Sequence, residues 1–324
     1  MPWQVNTWRY LGTLCRTRRP RIASCVMAEQ LPKISVVTPS FNQGRFIERT
    51  IRSVLGQRYP ALDYWVFDGG STDETVSILQ RYTGQLRWTS EKDRGQADAV
   101  NRGFRASSGE IIGWLNSDDI YYPETLAAVA ARFRADPEID LIYGAANHID
   151  VADQVIEAYP TEPWSVPRLS ETCFLCQPAV FFKRSALDRW GYLDETLRYC
   201  MDYEYWLRLA RAGARFFYEQ RILAGSRFYP ETKTLGARVK VHAEINDMLR
   251  ARLGRTPLTW ILAYSHVVAD DMFGIPRSRR RRHLVAVALT ALYSSLRWNR
   301  TIGSDLLKYL ATAFAALLRL AKRT

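Results

Sequence analysis

Histidine and cysteine are scarce in this chain, which has four histidines and five cysteines in 324 residues. Only Cys173 and Cys176 lie close together, in the segment TCFLCQP. A structural zinc site usually needs about four such ligands, and one C-x-x-C pair without a second pair does not supply them. We therefore interpret these cysteines as small apolar residues in a reducing, cytoplasmic setting without structural disulfides.

Long apolar runs are also missing. The longest, residues 284–296, has about 13 residues, whereas a transmembrane helix needs ~20. Residues 1–28 lack the apolar stretch of a secretory signal. Met27 looks like an ordinary cytosolic start, so two interpretations of residues 1–26 stay open. They are part of the native chain, or they are an extension that does not belong to it.

Acidic residues are outnumbered, with 33 Asp and Glu against 45 Lys and Arg and a net charge of +12. Residues 1–30 carry five Arg and one Glu (+4), and residues 251–324 carry eleven Arg, two Lys and three Asp (+10). Residues 31–250 therefore sum to 12 − 14 = −2. Basic ends on a near-neutral middle favour contact with an anionic membrane surface and argue against nucleic-acid binding through the fold.

From about residue 236 the sequence is helical in pattern and rich in arginine. The basic block RSRRRRH (277–283) precedes the apolar run, and residues 305–323 place leucines and Phe314 at helical spacing with cations towards the end. This pattern predicts helices that lie in the plane of a membrane. A helix packed on the core with a solvated basic face is the open alternative.

Between residues 33 and 144, β-branched strands alternate with amphipathic helices, the first turn of one helix carrying a Ser71–Glu74 capping box. The alternation predicts an α/β fold, with a mostly parallel sheet covered by helices on both faces. The predicted strands are 33–38, 62–68, 86–90, 110–115 and 140–144, and the predicted helices are 45–57, 71–82, 95–107 and 123–135.

Polar or acidic residues follow the predicted strands, where ligands of such sheets bind. Asp68 precedes two glycines and suits a ligand with N–H donors, although Asp-Gly is also common in turns. Asp118 and Asp119 end the segment WLNSDD. Mg²⁺ and Mn²⁺ take one or two carboxylates together with phosphate oxygens, so this pair predicts a cation site, with a solvated turn as the alternative.

A further acidic pair, Asp202 and Glu204, lies at the start of a predicted helix in RYCMDYEYWLRLARAG (198–213). Carboxylates at this end of a helix interact favourably with its dipole. The pair is therefore either a helix-stabilising charge or the source of a general base.

Three segments together resemble glycosyltransferase family 2 with a Rossmann-like GT-A fold. They are ISVVTPSFNQGRFIERTIRSVLGQRYPALDYWVFDGGSTDETVSIL, SEKDRGQADAVNRGFRASSGEIIGWLNSDD and QPAVFFKRSALDRWGYLDETLRYCMDYEYWLRLARAG. The resemblance covers residues 33 to 235, about two thirds of the chain. It divides the sequence into a basic N-terminal extension (1–30), a GT-A domain (31–235) and a basic, helical, membrane-associating C-terminal region (236–324).

The resemblance implies roles for individual residues. Asp202 would be the catalytic base, and Asp118, supported by Asp119, would hold Mn²⁺ or Mg²⁺. The nucleotide-sugar donor would be bound by Thr38, Pro39, Phe41, Asp68, Asp98, Ser117 and Lys233.

The implied activity is that of a metal-dependent inverting glycosyltransferase. It would move one sugar from a nucleotide-diphosphate sugar, a UDP-sugar being favoured, to a lipid-linked or surface-glycan acceptor at the inner face of the cell membrane. The Q-x-x-R-W motif of processive members is absent from the sequence, which favours single additions.

Three positions depart from the family pattern. Asn116 stands where a first carboxylate is usual, Met201 replaces the Glu of an ED pair, and Tyr229 replaces a histidine. These departures support one alternative, a non-catalytic nucleotide-sugar-binding protein.

Overall fold

A nine-stranded mixed sheet lies at the centre of the computed structural model, which describes residues 31–321. The predicted extension, residues 1–30, lies outside the described residues. In chain order the strands are β1 Ile34–Ser40, β2 Leu62–Asp68, β3 Arg87–Ser90, β4 Ile111–Trp114, β5 Ile120–Tyr121, β6 Leu141–Ile149, β7 Val155–Ala158, β8 Val180–Lys183 and β9 Phe216–Arg227.

The first half of the sheet is parallel, as the βα alternation predicted. Strands β3, β2, β1 and β4 are neighbours in that order, and each pair runs parallel. Beyond β4 the order continues through β8, β6, β9 and β5, with β8 antiparallel to both of its neighbours and β9 parallel to β6. The carboxyl ends of the four parallel strands therefore meet at one edge, which is where ligands of such sheets bind.

Helices cover both faces of the sheet because neighbouring strand residues point in opposite directions. Val36 packs in one core with Ile47 and Ile51, whereas Val37 packs in the other with Val100 and Phe104. The helices up to residue 236 are α1 Gly44–Leu55, α2 Thr75–Arg81, α3 Gln96–Ala106, α4 Thr125–Ala135, α5 Val166–Glu171, α6 Ser185–Trp190, α7 Met201–Arg211 and α8 Lys233–Gly236.

The predicted capping box before α2 is wrong. Helix α2 begins at Thr75, and its N-cap residue Glu74 makes no side-chain capping bond. The Ser71 hydroxyl instead donates to Asp68 Oδ1 at 2.5 Å. Ser71 Oγ also accepts from the Asn42 N–H at 2.7 Å, and at the start of the helix Asp73 Oδ1 accepts from the Thr75 N–H at 3.0 Å instead.

The C-terminal region is helical, as predicted. Helix α9 packs on the core with its Val241, Ile245 and Leu249 side chains. In residues 31–321 no helix is long and apolar enough to cross a membrane. The domain boundary near residue 236 stays a prediction. The helices are α9 Arg238–Leu253, α10 Leu258–Val267 with a π-helical turn at Val268–Met272, α11 Arg280–Asn299 and α12 Ser304–Ala321.

Candidate active site

A cleft of about 770 Å³ opens beyond the carboxyl ends of β1 and β4. Its walls are the loops that follow these two strands, the start of α7, the end of β9 and α8. Seven of the ten residues predicted from the sequence lie on it, namely Pro39, Phe41, Ser117, Asp118, Asp119, Asp202 and Lys233. The fold therefore brings both predicted acidic clusters to one cavity.

The other three predicted residues, Thr38, Asp68 and Asp98, do not line the cleft. Thr38 is fully buried, and its hydroxyl lies 3.2 Å from that of Tyr64. Asp98 accepts hydrogen bonds from both the backbone and the guanidinium of Arg94, which holds the pKa of this carboxyl below its usual value. Contacts of Thr38 and Asp98 with a nucleotide-sugar donor stay predictions. The hydrogen bonds that the structure shows for these two side chains are to other residues of the protein.

Asp68 organises the loop that follows β2. Its carboxylate accepts from the Gly70 and Ser71 N–H groups and from the Ser71 and Ser90 hydroxyls, at 2.5–3.1 Å. Gly70 has φ +82°, a conformation that favours glycine. The Asp-Gly-Gly sequence is thus a hydrogen-bonded turn at the carboxyl edge of the sheet. The role of Asp68 towards a nucleobase stays a prediction.

Asp118 is the carboxylate after β4 that is available to a ligand. It is half-buried on the cleft wall, and its Oδ2 accepts from the Tyr229 hydroxyl at 3.0 Å. Among the described side chains, Tyr229 is the one that donates to this carboxylate, on which the backbone N–H of Asp118 itself also acts. Burial raises the pKa of this carboxyl. A cation at this carboxylate would offset that cost.

Asp119 is buried and is used within the protein. Its Oδ1 accepts from the Arg227 N–H at 2.8 Å, and its Oδ2 lies 3.3 Å from Asn116 Nδ2. Burial and the neighbouring charge of Asp118 raise its pKa well above the usual value. These contacts favour a supporting role, and the role of Asp119 as a metal ligand stays a prediction.

Arg227, at the end of β9, is a residue that the sequence reasoning missed. Its Nε donates to the Asp118 carbonyl at 2.7 Å and its Nη1 to the Asp150 carbonyl at 2.6 Å, and it also pairs with Asp153. It therefore fixes the backbone of the acidic segment. The sequence pattern predicted roles for the nearby Tyr229 and Lys233 but not for Arg227, because pairing across more than 100 residues leaves no local pattern.

Asn116 is locked in a network that explains why it is not a carboxylate. Its Oδ1 accepts from Gln96 Nε2 and Trp114 Nε1, at 2.7 and 2.9 Å. Its Nδ2 donates to Gln177 Oε1 at 2.8 Å and to Asp119. An aspartate could not make the two donations and would place another negative charge beside Asp119.

We therefore expect Asn116→Asp to lower the free energy of unfolding by about 1–3 kcal/mol, because it removes donors to buried acceptors. Urea unfolding of the two proteins measures the difference. Asn147→Asp, which removes one 3.3 Å bond to the Tyr122 hydroxyl, is the control and should cost less. Equal stability of Asn116→Asp and the wild type would show that the network is unimportant.

A divalent cation fits this end of the cleft if the ligand supplies most of the coordination. No group of three or more His, Cys, Asp or Glu side chains within residues 31–321 could hold a metal by itself. One carboxylate, that of Asp118, together with phosphates and water, matches how Mg²⁺ usually binds. Lys233 lies on the same cleft, and its Nζ donates to Gln96 Oε1 at 2.6 Å.

Asp202 lies in the first turn of α7 and is half-buried on the same cleft. Its Oδ1 accepts from the Tyr203 N–H at 2.8 Å. Burial, together with the charge of Glu244, raises its pKa to about 6. A carboxyl with such a pKa is a suitable general base near neutral pH.

The neighbours of Asp202 on α7 have structural roles. Met201, which replaces the first acid of the pair, is buried in the core. Glu204 is fully buried and pairs with Arg208 and Arg252 at 3.0 and 2.9 Å. Met201 also lines the cleft, so this part of the wall carries one carboxylate, that of Asp202, where the family pattern has two acids.

Residues 35–191 match the sequence model of the family described as glycosyl transferase family 2. This part of the chain belongs to glycosyl transferase family 2. The matched segment contains Asp118 and Asp119. Asp202, Arg227 and Lys233 lie beyond its end at residue 191. The chain is 28% identical to chondroitin synthase of Escherichia coli over 200 residues, which are 60% of this chain and 29% of that protein.

Other relatives match over more of their length. An uncharacterised glycosyltransferase of Rickettsia prowazekii is 25% identical over 256 residues, 74% of this chain and 79% of that protein. TarS of S. aureus, solved with UDP-GlcNAc, superposes with a TM-score of 0.60 at 17% identity over 89% of this chain and 88% of that one.

A mannosyltransferase of Pyrobaculum calidifontis, solved with GDP-Man and Mn²⁺, has a TM-score of 0.57 at 20% identity over 90% of this chain and 81% of that one. These two structural likenesses confirm the predicted GT-A fold.

Proposed function

We propose that the protein is a metal-dependent inverting glycosyltransferase that moves one sugar from a nucleotide-diphosphate sugar to an acceptor hydroxyl. One observation carries the proposal. A single cleft is lined both by the half-buried carboxylate of Asp118 and by the carboxylate of Asp202, whose pKa is about 6. A leaving-group site and a base are the two parts that a single displacement needs.

Asp202 would act as the base. The carboxylate is held by the backbone N–H groups of Tyr203 and of Asp202 itself, and no side chain of the described residues donates to it, so it can accept the proton of the acceptor hydroxyl. The acceptor oxygen then attacks the anomeric carbon as the bond from that carbon to the phosphate oxygen breaks. The bonding electrons leave with the nucleoside diphosphate, and the configuration at the anomeric carbon inverts.

Asp118, supported by Asp119, would hold Mn²⁺ or Mg²⁺ against the diphosphate. When bound, the metal offsets the charge that develops on the leaving group. The contributions of this chain are geometric: Tyr229 orients the Asp118 carboxylate, and Arg227 holds its backbone. Lys233 adds a positive charge on the same cleft.

A nucleotide-sugar donor suits the remaining wall. Phe41 is 60% exposed on the cleft, beside Pro39, and offers a flat apolar surface to a base. Structural neighbours solved with UDP-GlcNAc and with GDP-Man support a nucleotide sugar. We favour a UDP-sugar as donor, and a lipid-linked or surface glycan as acceptor, to which one sugar is added.

We also propose a peripheral position at the cytoplasmic face of the cell membrane. The outward face of α11 is apolar, with Val285, Leu289, Tyr293 and Leu296 exposed at spacings of three and four residues. The arginine block 279–282 precedes this stripe, and Arg297 and Arg300 follow it. Apolar side chains flanked by arginines suit an anionic lipid surface.

The double variant Leu289→Ser/Tyr293→Ser should therefore bind phosphatidylglycerol vesicles at least about 10-fold more weakly than the wild type, because two exposed apolar side chains no longer enter the lipid. Vesicle co-sedimentation measures the affinity. Val155→Ser/Ile156→Ser changes exposed apolar residues on β7 and serves as the control. Unchanged binding of the α11 variant would refute this surface. Point substitutions test this surface better than deletion of the chain from residue 277 onward. Such a deletion would also remove the buried side chains of Ala291 and Trp298 on α11 and so disturb the packing of the helices.

The catalytic proposal is tested by incubating the purified protein with UDP-GlcNAc and GDP-mannose, with Mn²⁺ or EDTA, and measuring nucleoside diphosphate release and thermal shift. Turnover that requires Mn²⁺ supports the transferase. A thermal shift without turnover, across a wide panel of donors and acceptors, would support a nucleotide-sugar-binding protein instead.

A further inference from the structure

A carboxylate from the C-terminal helices binds the loop that precedes α7. Glu244, on α9, accepts from three successive backbone N–H groups, those of Arg198, Tyr199 and Cys200. The distances are 3.0, 2.7 and 2.9 Å for the shortest contact of each. These N–H groups end two residues before Asp202.

This contact binds the loop up to the N-cap residue of α7. Helix α7 makes no side-chain capping bond from its own N-cap residue, Cys200. Unpaired N–H groups at a helix start need a partner, and successive N–H groups that converge on one point form a site for an anion. Glu244 supplies that anion from 44 residues away along the chain. The position of the first turn of α7 is thus set by α9.

We propose that Glu244 is a positioning residue for transfer: it fixes the loop 198–200 and so holds the Asp202 carboxylate in place against the acceptor hydroxyl. This inference rests on the proposed function of Asp202. It gives the C-terminal helical region a part in the reaction, in addition to any contact with the membrane.

The rest of α7 is anchored independently of Glu244. The Tyr203 hydroxyl donates to the Leu169 carbonyl at 2.6 Å, and Glu204 pairs with Arg208 and Arg252. Loss of the Glu244 contact should therefore loosen the first turn without unfolding the helix. A displacement of about 1 Å at a reacting group costs up to ~10²-fold in rate.

Glu244 also acts on Asp202 through its charge. Its negative charge adds to burial in raising the pKa of Asp202. The other titratable groups that interact with Asp202 are three thiols and one phenol, and burial raises the pKa of each, so they stay neutral where Asp202 titrates. These groups are Tyr159, Cys173, Cys176 and Cys200. Among the described groups that shift this pKa, Glu244 is the one that carries charge.

Two substitutions of Glu244 separate the effect of its side-chain length from the effect of its charge. Glu244→Asp keeps the charge and shortens the side chain, whereas Glu244→Gln keeps the length and removes the charge. In both, we expect kcat for Mn²⁺-dependent turnover of UDP-GlcNAc or GDP-mannose to fall about 10- to 100-fold, with the donor KM within about threefold. The acidic limb of the kcat–pH profile should move to lower pH in Glu244→Gln alone. Amide hydrogen exchange at Tyr199 and Cys200 should speed up in both.

Asp247→Asn is the matched control, since Asp247 lies on the same helix and accepts from Trp298 Nε1 at 2.6 Å. It should leave the pH profile and both amides unchanged. If Glu244→Gln kept the wild-type pH profile and exchange rates, or if the control shifted them equally, the inference would be wrong. No turnover by the wild type would instead defeat the proposed function. Wild-type turnover that Asp202→Asn abolishes and Glu244→Gln leaves intact would defeat this inference alone.

Discussion

The Asp202→Asn variant should bind the nucleotide-sugar donor as the wild type does, while its transfer rate falls about 10²–10⁴-fold, the usual contribution of a positioned base. The asparagine Oδ1 can still accept from the Tyr203 N–H, so the local fold is kept. What is lost is the group that takes the acceptor proton. Initial-rate measurements at saturating donor, together with donor affinity by calorimetry, separate the two effects.

The pH dependence of the transfer rate provides a second test of Asp202 as the base. Because burial raises the pKa of Asp202 to about 6, the wild-type rate should be high above that pH and fall as the pH decreases through it, when the base becomes protonated. The residual rate of Asp202→Asn should lack this limb. Glu231→Gln, at an exposed acid on the same cleft, is the control and should keep both rate and profile. Full transfer by Asp202→Asn would exclude the base.

The Asp118→Asn variant should lose about 10²–10³-fold in Mn²⁺-dependent turnover, since a metal that stabilises the leaving group contributes several kcal/mol. The amide oxygen can still accept from the Tyr229 hydroxyl, so the change acts mainly on the charge at the cleft. Mn²⁺ should raise the affinity of the wild type for UDP-GlcNAc or GDP-mannose and should no longer do so in the variant.

Calorimetric titration of donor with and without Mn²⁺ measures that difference. Asn147→Asp is a suitable control, because it adds an acid elsewhere on the sheet and should leave the metal effect intact. Turnover that survives both EDTA and Asp118→Asn would show that neither the metal nor this carboxylate is needed.

The local pattern of the sequence was sufficient to predict the parallel half of the sheet. Strand β2 has the predicted bounds, and the polar segments after β1 and β4 line the cleft. The reason is physical: strand and helix periodicities are local, and parallel topology places their ends at one edge. Strands β5 and β9, by contrast, were not predicted. Strand β9 pairs with β6 across a long stretch of chain, and β5 has only two residues, so neither has a local pattern that reveals it.

Parts of the site could not be predicted because they depend on contacts between distant segments. Arg227 contacts the Asp118 carbonyl across 109 residues, and Glu244 contacts Cys200 across 44. Neither residue belongs to a local motif. The amide of Asn116 looked like a missing acid in the sequence, and only its four partners show that it is needed as an amide.

The most direct test of the proposed chemistry is the configuration of the first product. UDP-GlcNAc and GDP-mannose carry α-linked sugars, so each can be incubated with the protein and Mn²⁺ and the released or transferred sugar followed by ¹H NMR at the anomeric proton. We predict that the first-formed product is the β-anomer and that it does not form in EDTA. An initial α-product, or the same rate without metal, would contradict a metal-dependent inverting displacement.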